Sequence, residues 1–407
     1  GPAAMAAAGR IAGHALPGAT AGFAEGCRAA LGLHQAAYRR LPSGLTVSSL
    51  GVGTYQGELG AEHDELVVEA IVEAVRGGVN VVDTAVNYRL QQGERCVGRA
   101  LQRLCRPAEG EPVPREALFV STKAGFVPGD YKATADKEEG MRRTARELLE
   151  AGVPEEAICD GFKHCLHPRA LDHLLSKSLE NLGLETVDLF YLHNAENQRG
   201  MGVSHEDLMA RIGEAFAWCE RMRAANRIRA YGLATWDCFR VPPSDPAHLQ
   251  LAELAGLAAA AAREVHGEGA SPGLLHMQIP VNLGKPEALR AGQQQPSAAP
   301  AATGEGGLVP ALAWGLAAGM PAFASSSLGG GAAPELAAQC EGHAAMAGRP
   351  EGSARWLEFT RSCPGVCCAL VGMKRPANVA ANLALMRLAP LEEAAFAQLC
   401  CDLYGSA

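Results

Sequence analysis

The sequence predicts an α/β fold: a single (β/α)8 TIM barrel with an N-terminal hairpin, long loop insertions and a C-terminal helix. Three observations predict it. Short apolar runs of strand character alternate with segments whose apolar residues recur at helical spacing, the signature of a parallel sheet. Eight such strands can be counted along the 407 residues, the number that closes a barrel. Several of the strands end on an ionisable residue, and in parallel barrels the reactive groups collect on that C-terminal face. No internal repeat or second domain interrupts the rhythm. Residues 1–43 read as an N-terminal arm or extension and residues 44–407 as the barrel.

The elements follow in order. GLTVSSL (44–50) alternates apolar and polar residues and suits a short hairpin across the barrel bottom, and GVGTY (51–55) is the first barrel strand. Leu66, Val67, Ala70, Ile71 and Val75 mark a helix over 63–76 that Gly77-Gly78 stops. NVVDTAVNYR (80–89) is a buried strand running out into a polar turn. A helix at about 94–104 then leads to the strand LFVSTKAG (118–125). Residues 125–168 break the rhythm. They exceed an ordinary βα loop and hold one helical pattern at 141–151, which predicts a lid or pocket wall, with a disordered surface loop as the plain alternative. The alternation resumes with helix 169–182 and strand 187–192, helix 206–226 and strand 228–235, and helix 247–264 and strand 274–281. QQQPSAAPAATGEGG (293–307) is low in complexity and carries no evident chemistry. A helix at 308–318, the strand MPAFASS (320–326), a Gly/Ala-rich stretch with helical patches, the strand PGVCCALVG (364–372) and helices at 376–386 and 391–404 complete the chain.

Composition narrows the function classes. With 48% hydrophobic residues the chain can bury a large core, and a net charge of −8 argues against nucleic acid or an anionic membrane as the main partner. No apolar run approaches the about 18 residues of a membrane span. The 13 cysteines are odd in number, scattered and mostly within apolar runs, which reads as reduced, buried thiols of an intracellular protein. Cys363 with Cys367 and Cys368, and the HCLH of 164–167, come nearest to metal-ligand spacing. Both lack the partners a zinc site needs, so no metal is expected. The first 50 residues are rich in Ala and carry Arg10, Arg28, Arg39 and Arg40. They suit either an arm of the folded protein in a cytoplasmic setting or a plastid or mitochondrial transit segment.

Asp83 closes one strand and Tyr88 stands in the turn after it; Lys123 and His193 close two more. Singly, each has an ordinary role as a cap, rim aromatic, solvated cation or core histidine. Together, in this order and context, they resemble the catalytic tetrad of the aldo-keto reductases. The resemblance runs over roughly residues 44 to 390 through LGVGTY, SLENLGLETVDLFYLH, IRAYGLATW and LVGMKRPANVAANL, and is nearest to a little-characterised branch of that family. It implies reduction of an aldehyde or ketone to an alcohol by hydride transfer. Tyr88 would deliver the proton if its pKa, ordinarily about 10, is brought down by the Lys123 cation. Asp83 would hold Lys123 by a charge-assisted hydrogen bond, and His193 would orient the carbonyl oxygen. Hydride must come from a cofactor.

No GxGxxG follows a strand, so a Rossmann turn is not the binding device. The resemblance implies instead an extended nicotinamide dinucleotide across the barrel mouth. Gly53, Thr54, Asp83, Thr235, Gln278, Ser325, Leu328, Gly372, Lys374, Arg375, Asn378 and Asn382 are its candidate contacts. Gln278 matches the family's amide-reading glutamine and Asn382 the asparagine that reads the adenine. Lys374 and Arg375 suit a 2′-phosphate, favouring NADP, with NAD the alternative. Five positions depart from the family pattern. Ala234-Thr235 replaces a Ser-Asn pair, Ser325 the tyrosine that stacks under the nicotinamide, Asn378 an arginine and Ala381 a glutamate. These departures favour, as an alternative, a cofactor-binding regulatory or scaffold subunit with little turnover. The expected partner is a small-molecule carbonyl compound, whose identity no recognition motif reveals.

Overall fold

The computed structural model describes residues 9–296, 307–329 and 334–405. The chain opens with helix α1 (Pro17–Leu31) and an antiparallel hairpin, β1 (Tyr38–Arg40) with β2 (Thr46–Ser48). Eight parallel strands then close a barrel: β3 (Leu50–Gly53), β4 (Val81–Asp83), β5 (Phe119–Ala124), β6 (Val187–His193), β7 (Ile228–Ala234), β8 (Leu274–Pro280), β9 (Ala322–Ser325) and β10 (Val366–Gly372). They succeed one another round the wall in chain order, and β10 returns to pair with β3. Outside run α2 (Ala61–Arg76), α3 (Gln92–Cys105), α4 (Lys137–Glu150), α5 (Pro168–Leu182), α6 (His205–Ala224), α7 (Leu251–His266), α8 (Ala311–Ala317), α9 (Pro334–Gly342), α10 (Ser353–Ser362), α11 (Pro376–Leu385) and α12 (Glu393–Tyr404).

The period-2 alternation of a strand divides the apolar residues into two cores. Val81, Phe119, Leu189, Tyr191, Ala230, Phe323 and Leu370 pack together inside the barrel. Their neighbours Val82, Val120, Phe190, Leu192, Tyr231 and Leu233 belong to the larger core beneath the helices. Phe119 stacks on Phe323 inside the wall, with centroids 5.4 Å apart and planes 12° from parallel. Gly232 leaves room for the Tyr191 ring: a Cβ there would lie 2.1 Å from the His276 carbonyl oxygen and 3.0 Å from the ring. The same alternation carries the inward-facing positions up to Asp83, Lys123, His193 and Gln278 at the mouth.

The hairpin spans more than 44–50 predicts, because β1 supplies its first strand. Sequence reading also passed over α1. Three glycines in PGATAGFAEGCRAAL lower its helix propensity. Pro17 in the first turn and Gly32 at the left-handed C-cap, φ 65°, were its readable signals. At the barrel bottom, Asp188 ties arm to wall. It accepts from the Ala15 N–H at 2.6 Å and the Val120 N–H at 2.8 Å, and pairs with Arg115 at 2.7 Å.

The 125–168 insertion is folded. Asp136 caps α4 by accepting from the Glu139 N–H, and Val127, Ala145, Leu148, Val153, Ile158, Cys165 and Ala170 form a small core of their own. Gln294 and Val309 form a bridge across the low-complexity 293–307 segment, most of which (297–306) lies outside the described residues. All 13 cysteines are free, but not all are buried: Cys27, Cys105 and Cys400 are half-buried and Cys401 is exposed, on the outer turns of helices. Among the described residues, no helix is long and apolar enough to cross a membrane.

Candidate active site

Adjacent strand ends bring Asp83, Lys123 and His193 to one rim. Register sets Asp83 beside Ser121, Lys123 beside Tyr191 and His193 beside Ala234. Lys123 Nζ lies 2.6 Å from Asp83 Oδ2 and donates to the Thr84 carbonyl at 2.7 Å. The other carboxylate oxygen of Asp83 accepts from Ser121 Oγ at 2.7 Å and Gln278 Nε2 at 2.9 Å. Lys123 is fully buried. Burial pulls its pKa down, and Asp83, by charge and hydrogen bond, pushes it back.

Tyr88 sits over this pair. Lys123 Nζ is 4.9 Å from the ring centroid, and the ring packs edge-on against Tyr55 and His193, at 5.0 and 5.7 Å between centroids. Its hydroxyl makes no hydrogen bond among the described residues. The expected lowering of the phenol pKa is not found: burial raises it well above its ordinary value, and the Asp83 charge adds to the rise. Lys123 cannot offset this, because its charge is already matched by Asp83 at contact distance. The phenol therefore keeps its proton. His193 is held neutral, its pKa driven well down by burial and then by Lys123 and His164. Its buried Nδ1 has no hydrogen-bond partner among the described residues, and Phe126 packs edge-on at 5.1 Å.

The candidate cofactor residues complete the rim. Gly372 pairs in register with Gly53, and Gly53 with Asp83, so the mouth is continuous from β10 to β4. Thr54 Oγ1 is 2.8 Å from Thr84 Oγ1. Gln278 reaches the tetrad directly, through Asp83. The Thr235 hydroxyl is engaged elsewhere: it donates to Glu196 Oε1 at 2.5 Å and accepts from the Cys238 N–H at 2.9 Å. Ser325 ends β9 and Leu328 follows it, both half-buried; Asn382 is buried on α11. Asn378 and Arg375 are exposed and Lys374 half-buried. Lys374 and Arg375 form no ion pair or side-chain hydrogen bond among the described residues. Two unmatched cations suit a phosphate.

Residues 49–242 match the model of the aldo/keto reductase family. Over these residues, just under half of the chain, the sequence resembles that family. Curated relatives include the NADH-specific methylglyoxal reductase of Escherichia coli, 26% identical over 210 residues, which are 49% of this chain and 52% of the relative. D-threo-aldose 1-dehydrogenase of a Pseudomonas species is 28% identical over 199 residues, 47% of this chain and 51% of the relative. The chain thus spans about half the length of the curated relatives it matches. The fold is shared more widely. A Klebsiella pneumoniae aldo/keto reductase solved with NADP and acetate superposes at TM-score 0.56 and 16% identity, over 91% of this chain and 96% of that one. The glycerol dehydrogenase of Gluconobacter oxydans does so at 0.58 and 18%, over 92% and 98%.

Several further residues stand at this site. Ser121 and Tyr191 stand two positions before Lys123 and His193, so strand alternation alone points them into the barrel. His164, from the HCLH run, is no metal ligand: its Nε2 lies 2.8 Å from the His193 carbonyl oxygen and its Nδ1 3.0 Å from Gln198 Nε2. Arg211 donates to Gln198 Oε1 at 3.0 Å, which orients that amide. Gln198 thus donates to Nδ1, leaving Nε2–H to donate to His193. Burial holds His164 neutral, with a pKa of about 4. No local pattern links residues 29 apart, with α5 and β6 between them. Among the described residues, no group of three or more His, Cys, Asp or Glu is placed to hold a metal.

Proposed function

We propose that this protein is an NADP-dependent oxidoreductase that reduces an aldehyde or ketone to an alcohol, with Tyr88 as the proton donor. The observation that carries this reading is the buried Lys123–Asp83 pair beneath Tyr88, with neutral His193 on the same rim. Bound cofactor would supply hydride to the carbonyl carbon. Tyr88, its phenol held protonated, gives its proton to the carbonyl oxygen as the C–O double bond becomes a single bond. The Lys123 charge then faces the phenolate left behind, and His193 donates a hydrogen bond that orients the oxygen. Ser121 and Gln278 keep Asp83 from turning away from Lys123. Gln278, Asn382, Lys374 and Arg375 would hold the nicotinamide amide, the adenine and a 2′-phosphate. The relatives' activities, on methylglyoxal and on an aldose, fit a small carbonyl substrate, and NAD is the alternative cofactor.

A second reading, a cofactor-binding regulatory subunit with little turnover, is favoured by one observation: the Thr235 hydroxyl is committed to Glu196 and Cys238 rather than to the mouth. Titration with NADPH and NADH, followed through tryptophan fluorescence and then through cofactor oxidation with methylglyoxal, separates the two. Trp236 on the rim, 43% exposed, is the natural reporter. Tight NADPH binding with turnover supports the reductase. Tight binding with none across a carbonyl panel supports the regulatory subunit. Equal, weak binding of both cofactors would sink the phosphate site.

A further inference from the structure

The residues after Tyr88 adopt a backbone that none of them favours. Arg89, Leu90 and Gln91 have φ angles of 50°, 52° and 69°, a left-handed turn made without glycine. Residues with a Cβ visit this region rarely and usually singly. Such a run persists only where its surroundings over-determine it.

Here the surroundings are specific. Arg89 is buried, with Nη2 2.5 Å from Asp64 Oδ1 on α2 and 2.6 Å from the Glu58 carbonyl oxygen. Gln91 is buried too: its Nε2 donates to the Gly129 carbonyl at 3.2 Å, and its Oε1 accepts from Asn181 Nδ2 on α5 at 3.1 Å. The Leu90 carbonyl accepts from the Tyr131 N–H at 3.1 Å. Gly129 and Tyr131 both lie in the 125–168 insertion. Arg95, in the first turns of α3, adds an ion pair to Asp130 at 2.8 Å. Packing closes the arrangement: a Cβ on Gly140 of α4 would lie 2.9 Å from Gly129 Cα, and one on Gly129 would lie 2.9 Å from Leu90 Cδ2. Helix α4 thus presses the backbone at 129 onto Leu90.

We propose that the 125–168 insertion is a latch that holds this left-handed turn and so sets the position of the Tyr88 hydroxyl, with Gln91 as the positioning residue that connects them. The inference rests on Tyr88 being the proton donor. Cut from the latch, the turn relaxes toward right-handed angles and carries the Tyr88 ring away from His193.

The test compares Gln91→Leu, which removes both tethers, with the unaltered chain, Tyr88→Phe and the double variant. Amide hydrogen exchange is read over 84–93 and 127–133 without cofactor; NADPH affinity and methylglyoxal turnover are read alongside. Exchange over 84–93 is expected to rise about tenfold with little change in strands β6 to β8. The kcat should fall about tenfold, with KM and NADPH affinity within about twofold. Because Gln91 acts through Tyr88, the double variant should be no slower than Tyr88→Phe alone. Should Gln91→Leu fail to fold, Asp130→Ala cuts the Arg95 pair at the surface and should give the same changes at smaller size. Unchanged exchange over 84–93 overturns the latch whatever the turnover. So does a lower melting temperature with unchanged kcat, or a double variant slower than Tyr88→Phe. If the unaltered chain turns over no carbonyl compound, the reductase reading fails by itself and the exchange data still judge the latch.

Discussion

The two halves of the barrel mouth are built on different principles. On the β4–β6 side, Asp83, Lys123, Ser121 and Gln278 satisfy one another at 2.6–2.9 Å beneath Tyr88 and beside a buried, neutral His193. On the β9–β10 side, Ser325 and Leu328 are half-buried, Asn378 and Arg375 are exposed, and Lys374 and Arg375 have no counter-charge among the described residues. One half is complete in the protein alone. The other is left open, its two cations unmatched among the described residues. A charge kept out of water must be matched internally, whereas cations left in water can wait for a phosphate at little cost.

Breaking the complete half should have the largest effects. Tyr88→Phe removes the proposed proton donor and leaves the other half untouched; turnover should fall about a thousandfold with NADPH affinity unchanged in a fluorescence titration. Retained activity in that variant would remove the mechanism. Lys123→Met strands the buried Asp83 without its counter-charge. Beyond abolishing turnover it should destabilise the fold by about 3–5 kcal/mol in denaturant unfolding, part of which Asp83→Asn should restore.

Acid should act on the buried side as well. His164 and His276 are buried and neutral, with pKa values lowered to about 4 chiefly by burial, against an ordinary 6.5. Below pH 6.5 the unfolded chain binds protons that the folded chain refuses, so stability is full above pH 6.5 and falls as pH drops toward 4. The loss should approach about 3 kcal/mol per histidine. His276→Asn should flatten a melting-temperature profile between those limits; an unchanged profile would remove this origin.

The open half should yield smaller and more selective effects. Lys374→Ala with Arg375→Ala is expected to weaken NADPH binding by about tenfold to a hundredfold, equivalent to about 1.4–2.8 kcal/mol, while leaving NADH binding and melting temperature nearly unchanged. Equal loss for both cofactors would mean that these cations do not read a 2′-phosphate.

Much of the fold was readable because period and punctuation are local. The eight strands, their helices and the strand-end placement of Asp83, Lys123 and His193 follow from alternation, helical spacing and glycine stops within a dozen residues of each position. Helix α1 escaped because its glycines and alanines blur the apolar stripe. The candidate site was readable only in its polar ends. The role of His164 is not legible locally, because its partners, the His193 carbonyl and Gln198, lie beyond α5 and at or after the end of β6. The direction of the Tyr88 shift is hidden for a related reason: residue types place a lysine near the phenol but do not tell that Asp83 meets that lysine first.

By itself the sequence determined the barrel, its strand count and the identity of the groups at its rim, because backbone period and side-chain chemistry are properties of neighbouring residues. The tertiary structure alone decided which of those groups are buried and matched. Burial and contact distance set whether Tyr88 holds its proton, whether His193 is neutral and whether the Thr235 hydroxyl is free. The structure also decided that three residues without glycine keep left-handed angles beside Tyr88, because the side-chain contacts that hold them come from 25 to 90 positions away along the chain.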